Sequence, residues 1–369
     1  MDIHVMDSIP ITEEDAYKSH LRDLAVQDKY GLIYKKYYIN FQHNTIFCLM
    51  DGPSKEACLI SHEAAHGIGP CNIVEVSPEF EFHPYLGEGT KNDKDLALTL
   101  SGEIDTGYRT LMMICLADFT GNYGYLTDEI YRLIQVYHGN KVMQPDDKFI
   151  ASFLNASDAI SCSIEISHLL NSIPNNIEYN MALVTGKPVD EVGSTFFGEA
   201  RKRLRTLCRI GLSKLIYIDA GTRALIQKET NTSEIDKKNL KFISKNDFSF
   251  LMTLYEILDS QILNSNFKSE DLSKELGLSK SQTYRKIRSL IGMSPNTLIR
   301  EMRLRRSLGA LKKNSKTVAE IAYDLGFNSP TYFTRVFRSR YNTLPTNFAK
   351  LSLKNDVLKT NESNGSSFD

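Results

Sequence analysis

The chain has 369 residues, 41% hydrophobic and 24% charged, with 21 glycines and 11 prolines; this excludes collagen-like and globally disordered classes and predicts two or three domains of roughly 100–200 residues. No run of eighteen apolar residues exists, the start MDIHVMDSIPITEED lacks the regions of an export signal, and six cysteines fall without a C-x-x-C pair, so a cytoplasmic protein with reduced thiols and no membrane partner is expected. The formal net charge of −1 hides an asymmetry: Asn264 to Lys350 carries 17 Lys and Arg against 6 Asp and Glu, a net of +11, while the remainder carries −12. A basic end on an acidic body suggests a nucleic-acid-binding module joined to something else, because phosphate neutralisation supplies most non-specific affinity.

Residues 1–82 alternate helix and strand: a helical run Thr12–Tyr30, extended Leu32–Phe41 and Thr45–Met50, a helix Ser54–His66, and extended Asn72–Val76. The pattern predicts a small α+β sandwich with its helices on one face. Within it, SHEAAHG places His62 and His66 four residues apart on one helical face, the only metal-like spacing in the chain. His20, Cys48 or Glu63 could add donors; the letters also match the H-E-x-x-H pattern of zinc hydrolases, but no compelling third ligand is evident, so hydrolysis is disfavoured. The stretch from Ser19 to Val76, SHLRDLAVQDKYGLIYKKYYINFQHNTIFCLMDGPSKEACLISHEAAHGIGPCNIVEV, resembles the ferredoxin-like family called domain of unknown function 4242, which has nickel-binding members. The resemblance implies a metal-binding or small-ligand-sensing domain that dimerises through its sheet, with nickel or another divalent metal as candidate cofactor.

Residues 83–106, rich in Gly, Asn, Asp and Lys, read as a linker. In residues 107–228 an apolar strand ends at Asp118, KFIASF follows Asp147, and a helix Ala156–Leu170, a strand Glu178–Thr185, a basic helix and a strand Lys214–Asp219 come after. LADFTG, PDDKFIASF, MALVTGKPV and FFGEARKRLRTLCRI resemble the class III nucleotide cyclase domain, in which two strand-end aspartates hold two divalent metals; Asp118 and Asp147 match them. The family's base-selecting Lys falls on Met143, and its transition-state Asn and Arg fall on Lys202 and Thr206. Losing cations that stabilise phosphate charge costs orders of magnitude in rate, so the resemblance implies a degenerate cyclase fold serving as dimeriser or nucleotide sensor, not an enzyme.

A second polar stretch, residues 229–246, reads as a linker. Residues 247–351 are helical throughout. Leu251, Leu254, Leu258 and Ile262 form one stripe, with Asp247 as expected N-cap. SEDLSKELGLSKSQTYRKIRSLIG and TVAEIAYDLGFNSPTYFTRVFRSRY are two helix-turn-helix patterns whose turn glycines, Gly277 and Gly326, lie 49 residues apart across a linking helix, Ser294–Leu311. The long run GFNSPTYFTRVF makes this segment resemble the tandem helix-turn-helix domain of AraC/XylS transcription regulators. Asn342 stands where that family usually has Gly, and Asn tolerates the left-handed conformation. The resemblance implies that each second helix enters a major groove of double-stranded DNA, the two grooves roughly 34–36 Å apart. Residue-wise matching puts base reading on Ser281, Tyr284 and Arg285 in the first module and on Thr331, Thr334 and Arg335 in the second, the arginines being suited to guanine O6 and N7. Lys286, Arg288, Arg338 and Arg340 are expected on phosphates, and Tyr332, Phe333 and Phe337 in the core. The tail, 352–369, is polar and expected to be disordered.

The expected architecture is thus multidomain α+β and all-α: two ferredoxin-like sandwiches followed by an all-helical tandem helix-turn-helix domain. The expected function is that of a sequence-specific transcription regulator, a homodimer responding to a metal, small-molecule or nucleotide effector. The competing readings are a nucleotide cyclase with a regulatory DNA-binding domain and a metal-buffering protein.

Overall fold

Strands in the first 76 residues alternate inward-facing residues to two different cores. The computed structural model describes residues 1–6, 10–118, 123–142, 148–173, 177–209, 214–229 and 239–350. It begins with β1 (Asp2–Val5), α1 (Glu13–Val26), β2 (Ile33–Asn40), β3 (Thr45–Asp51), α2 (Lys55–His66) and β4 (Asn72–Ile73), the strands lying in the order β2-β3-β1-β4. Thr12 and Ser54 cap the two helices by accepting the amide N–H of the residue three positions on. On one sheet face Tyr34, Tyr37, Ile39, Ile46 and Cys48 pack with Ala16 of α1 and Cys58 of α2. On the other, Ile3, Tyr38, Phe47 and Val74 join a different core. A bulge between Tyr34 and Lys36 lets β2 serve both.

That second face decides how the parts join. Phe82, Tyr85 and Leu86 cover it together with Phe196 and Phe197, so the sheet face expected to pair with a second copy is filled by the chain itself. Residues 83–106, expected as a linker, are folded into this seam. They form α3 (His83–Leu86) and a hairpin, β5 (Thr90–Lys91) and β6 (Ala97–Leu98). Ser152 Oγ donates to Tyr85 O at 2.5 Å, and the buried Arg109 guanidinium donates to Leu86 O and to both Asp105 oxygens at 2.7–2.8 Å. An apparently loop-like sequence is here ordered by burial of two side chains and one satisfied ion pair.

The middle region holds β7 (Arg109–Asp118), α4 (Tyr123–Val136), β8 (Asn140–Val142), β9 (Lys148–Phe153), α5 (Ala156–Ser172), β10 (Ile177–Gly186), α6 (Gly198–Cys208), β11 (Ile216–Asp219), α7 (Ala220–Glu229) and β12 (Leu240–Ile243). Its six strands run in the order β12-β11-β10-β7-β9-β8, with β10-β11 and β11-β12 parallel. Alternation again splits the strands: Met112, Ile114, Met181 and Leu183 pack with α4, α5 and α7, while Leu111, Met113, Ala182 and Val184 pack with α6 and the N-terminal seam. Part of the second expected linker is β12, the edge strand of this sheet. One residue later Ser244, not Asp247, caps α8 (Lys245–Gln261), accepting the Asp247 N–H.

The helical end continues as α9 (Ser269–Glu275), α10 (Lys280–Ile291), α11 (Pro295–Lys313), α12 (Val318–Asp324) and α13 (Pro330–Tyr341). Among the described residues no helix is long and apolar enough to cross a membrane. The tail from residue 351, expected to be disordered, lies outside the described residues.

Candidate nucleic-acid interface

Each helix-turn-helix module is set by a cap, a turn glycine and an apolar stripe. In the first, Ser279 and Gln282 form a reciprocal capping box on α10, and Thr283, Ile287, Leu290 and Ile291 are buried. That spacing leaves Ser281, Tyr284, Arg285 and Arg288 exposed on the opposite face. In the second, Thr317 and Glu320 box α12, Ser329 caps α13 with Pro330 at its first position, and Phe333, Phe337 and Tyr341 are buried. Thr331, Arg335 and Arg338 are exposed and Thr334 is half-buried, lining one shallow groove together with Pro330 and Asn342. Asn342 takes the left-handed conformation at the end of α13, φ 53°.

Three expectations change. Tyr332 is 39% exposed, not core, and its ring lies 5.3 Å from the Arg335 guanidinium, which it helps to orient. Lys286 bonds Asp247 at 2.5 Å across to α8, so its charge is partly spent within the protein. Arg340, expected on a phosphate, faces away from that role: its guanidinium pairs bidentately with Glu178 of β10 and donates Nε to Glu301 of α11 at 2.7 Å. Neither carboxylate partner is marked by any local motif, because both meet Arg340 only through the packing of separate elements.

A second cluster lies in the N-terminal part. His62 is buried between two carboxylates, with Nε2 at 2.6 Å from Asp2 and Nδ1 at 3.2 Å from Asp23; the half-buried His66 bonds the same Asp23 oxygen at 2.8 Å. Burial disfavours charge on the His62 ring, but the carboxylates of Asp2 and Asp23 outweigh it and raise its pKa to about 10. Asp2 and Asp23 are held below the usual carboxylate range against the same desolvation, Asp2 by His4 and His62 and Asp23 by His62 and His66. Ligand atoms of Asp23, His62 and His66 lie within 4.8 Å of one another, as do those of Asp2, His4 and Cys48. The helical spacing identified the two histidines; Asp23 and Asp2 come from α1 and β1 and carried no signal of their own.

In the middle region, the Asp118 side chain and all of Asp147 and Met143 lie outside the described residues. Lys202 is exposed, whereas Thr206 is buried beneath α8, its hydroxyl donating to Lys202 O and Met252 S at 3.0 Å. No cation is presented from position 206.

Residues 272–351 match the family described as helix-turn-helix domain, and residues 1–76 match nickel responsive protein SCO4226-like. The region 272–351 is thus a helix-turn-helix domain. Histidine kinase P4 of Formosa agariphila is 32% identical over 106 residues, 29% of this chain and 8% of that protein. The HTH-type transcriptional regulator MtrA of Neisseria gonorrhoeae is 33% identical over 73 residues, 20% of this chain and 24% of that protein. This chain therefore spans less than a quarter of the length of each of these two curated relatives. A solved adenylate/guanylate cyclase/hydrolase from Silicibacter pomeroyi is 20% identical, with TM-score 0.28, covering 34% of this chain and 82% of its own. This helix-turn-helix domain holds both exposed faces described above, that of Arg285 and that of Arg335.

Proposed function

We propose that the protein is a sequence-specific DNA-binding transcription regulator, acting where duplex DNA is found. The observation that carries this reading is the pair of capped helices, α10 and α13, that bury Ile287 and Phe337 while exposing Arg285 and Arg335 at matching positions. Arg285 and Arg335 read bases and Arg288 and Arg338 hold phosphates. The test is selection of duplexes by the full chain from a random pool, followed by binding of variants to the selected duplex. Arg335→Ala is expected to lose about 1–3 kcal/mol and relax one base position, whereas Arg338→Ala weakens all sequences alike and lowers the salt slope by about 1. If Arg335→Ala keeps its sequence preference, the reading role is wrong; if the chain selects no duplex, the function is wrong.

The N-terminal and middle regions, read as ferredoxin-like and cyclase-like sandwiches, serve as the sensory part, and the active protein is a homodimer. Any pairing uses a surface other than the sheet face filled by Phe82 and Tyr85. Catalysis is not part of this reading.

A second reading, divalent-metal sensing, is favoured by His62 Nδ1, which is fully buried and lacks a well-directed hydrogen bond although Asp23 is 3.2 Å away. Asp23, His62 and His66 would hold nickel, with Asp2 against Nε2 orienting the ring. A bound ion would add positive charge between α1 and α2. Calorimetric titration of the full chain with nickel chloride is expected to show binding that the His62→Ala/His66→Ala variant loses, and any coupling to DNA must be reciprocal. An unchanged isotherm in that variant rejects the site.

A further inference from the structure

The two helix-turn-helix modules are joined to the rest of the protein by different chemistry. The first shares one continuous apolar core with the body: Leu251, Leu254, Leu258, Ile287 and Leu290 belong to the cluster that includes Met113, Leu204 and Tyr217 of the middle region. The second has its own core, built from Leu304, Ile321, Phe333, Phe337 and Tyr341. It reaches the body through α11, through the docking of Gly326 on the end of α8, and through Arg340.

Arg340 uses all three guanidinium nitrogens: Nη1 and Nη2 on the two Glu178 oxygens, and Nε on Glu301. Planar bidentate pairing constrains orientation as well as distance. Glu178 itself is anchored by main-chain pairing of β10 opposite Ala117 of β7. The recognition face of α13 stays open while the pair is closed, since Thr331, Arg335 and Arg338 remain exposed.

We propose that Glu178 is a positioning residue that latches the second module to the middle region, so that a change in the middle region alters how α13 is presented without touching its reading face. Part of this rests on the DNA-binding reading; the latch itself does not.

The test compares the full chain with Glu178→Gln and Glu178→Lys by hydrogen exchange and by DNA binding. Exchange of amides in 330–341 is expected to rise about 3- to 10-fold in Glu178→Gln and further in Glu178→Lys, with 177–186 and 280–291 unchanged, as suits a partly buried charged pair. On a duplex that the wild-type chain selects from a random pool, Glu178→Gln should lose about 3- to 10-fold in affinity, because a loosened module must be ordered on binding. On that duplex trimmed to the half footprinted by the first module, no loss is expected. Unchanged protection of 330–341 in both variants overturns the latch, as does equal loss across 177–186 and 280–291, which marks general destabilisation. If no duplex is selected, the regulator reading fails while hydrogen exchange still decides the latch.

Discussion

The two helix-turn-helix modules are alike in local design and unlike in how they are held. Both use a reciprocal capping box, a glycine of positive φ in the turn, at Gly277 and Gly326, and an apolar stripe with arginines opposite. Yet the first is continuous with the body's core, reinforced by Lys241 donating to Ser289 O at 3.1 Å, whereas the second stands on a separate core with polar connections, among them Arg306 to Asp259 and Arg340 to Glu178. Apolar continuity makes two elements open and close together; a charged link lets them differ. In the regulator proposed above, one module held fixed and one adjustable would let the span across two grooves change while the first keeps its hold.

The largest effects should break the comparison outright. Phe337→Ala empties the second core and is expected to cost about 3–5 kcal/mol there. Exchange of 330–341 should approach that of an open segment while 280–291 keeps its protection. Leu254→Ala, at about 2–5 kcal/mol, should instead expose α10 and the middle sheet together. Equal responses of the two modules to both substitutions would abolish the distinction.

Gly326→Ala should have a smaller effect. Its φ is +78°, and an added Cβ would meet the carbonyl oxygens of Leu263 and Ile262 at 2.8 and 3.0 Å, backbone atoms that cannot swing aside. A loss of about 1–3 kcal/mol is expected, felt in the second module first, with thermal unfolding by segment-resolved exchange as the check.

The comparison is sharpened further by pH. His62 is raised from 6.5 to about 10 in the folded protein, so its stabilising contribution is complete below pH 6.5 and is lost as pH rises toward 10. Alkaline titration followed by exchange should therefore loosen the N-terminal part and, through the shared core, the first module, leaving 330–341 protected. In His62→Gln this alkaline transition should be absent.

Sequence alone determined both helix-turn-helix modules, because capping, turn glycines and helical stripes are local and strong. It also determined the exposed faces carrying Arg285 and Arg335, which follow from 3.6-residue periodicity once Ile287 and Phe337 are assigned inward. The pairing of His62 with His66 was equally legible at four-residue spacing. What tertiary structure decided was partnership across long separations: Asp2 and Asp23 around His62, Glu178 on Arg340, and the docking of residues 83–86 and 240–243 where linkers were expected. Those segments are polar or short in sequence, and their order comes from a few buried side chains, Tyr85 and Leu86 above all, and from edge pairing of β12. Local propensity cannot register such contacts, since the energy that orders each segment belongs to a surface built elsewhere in the chain.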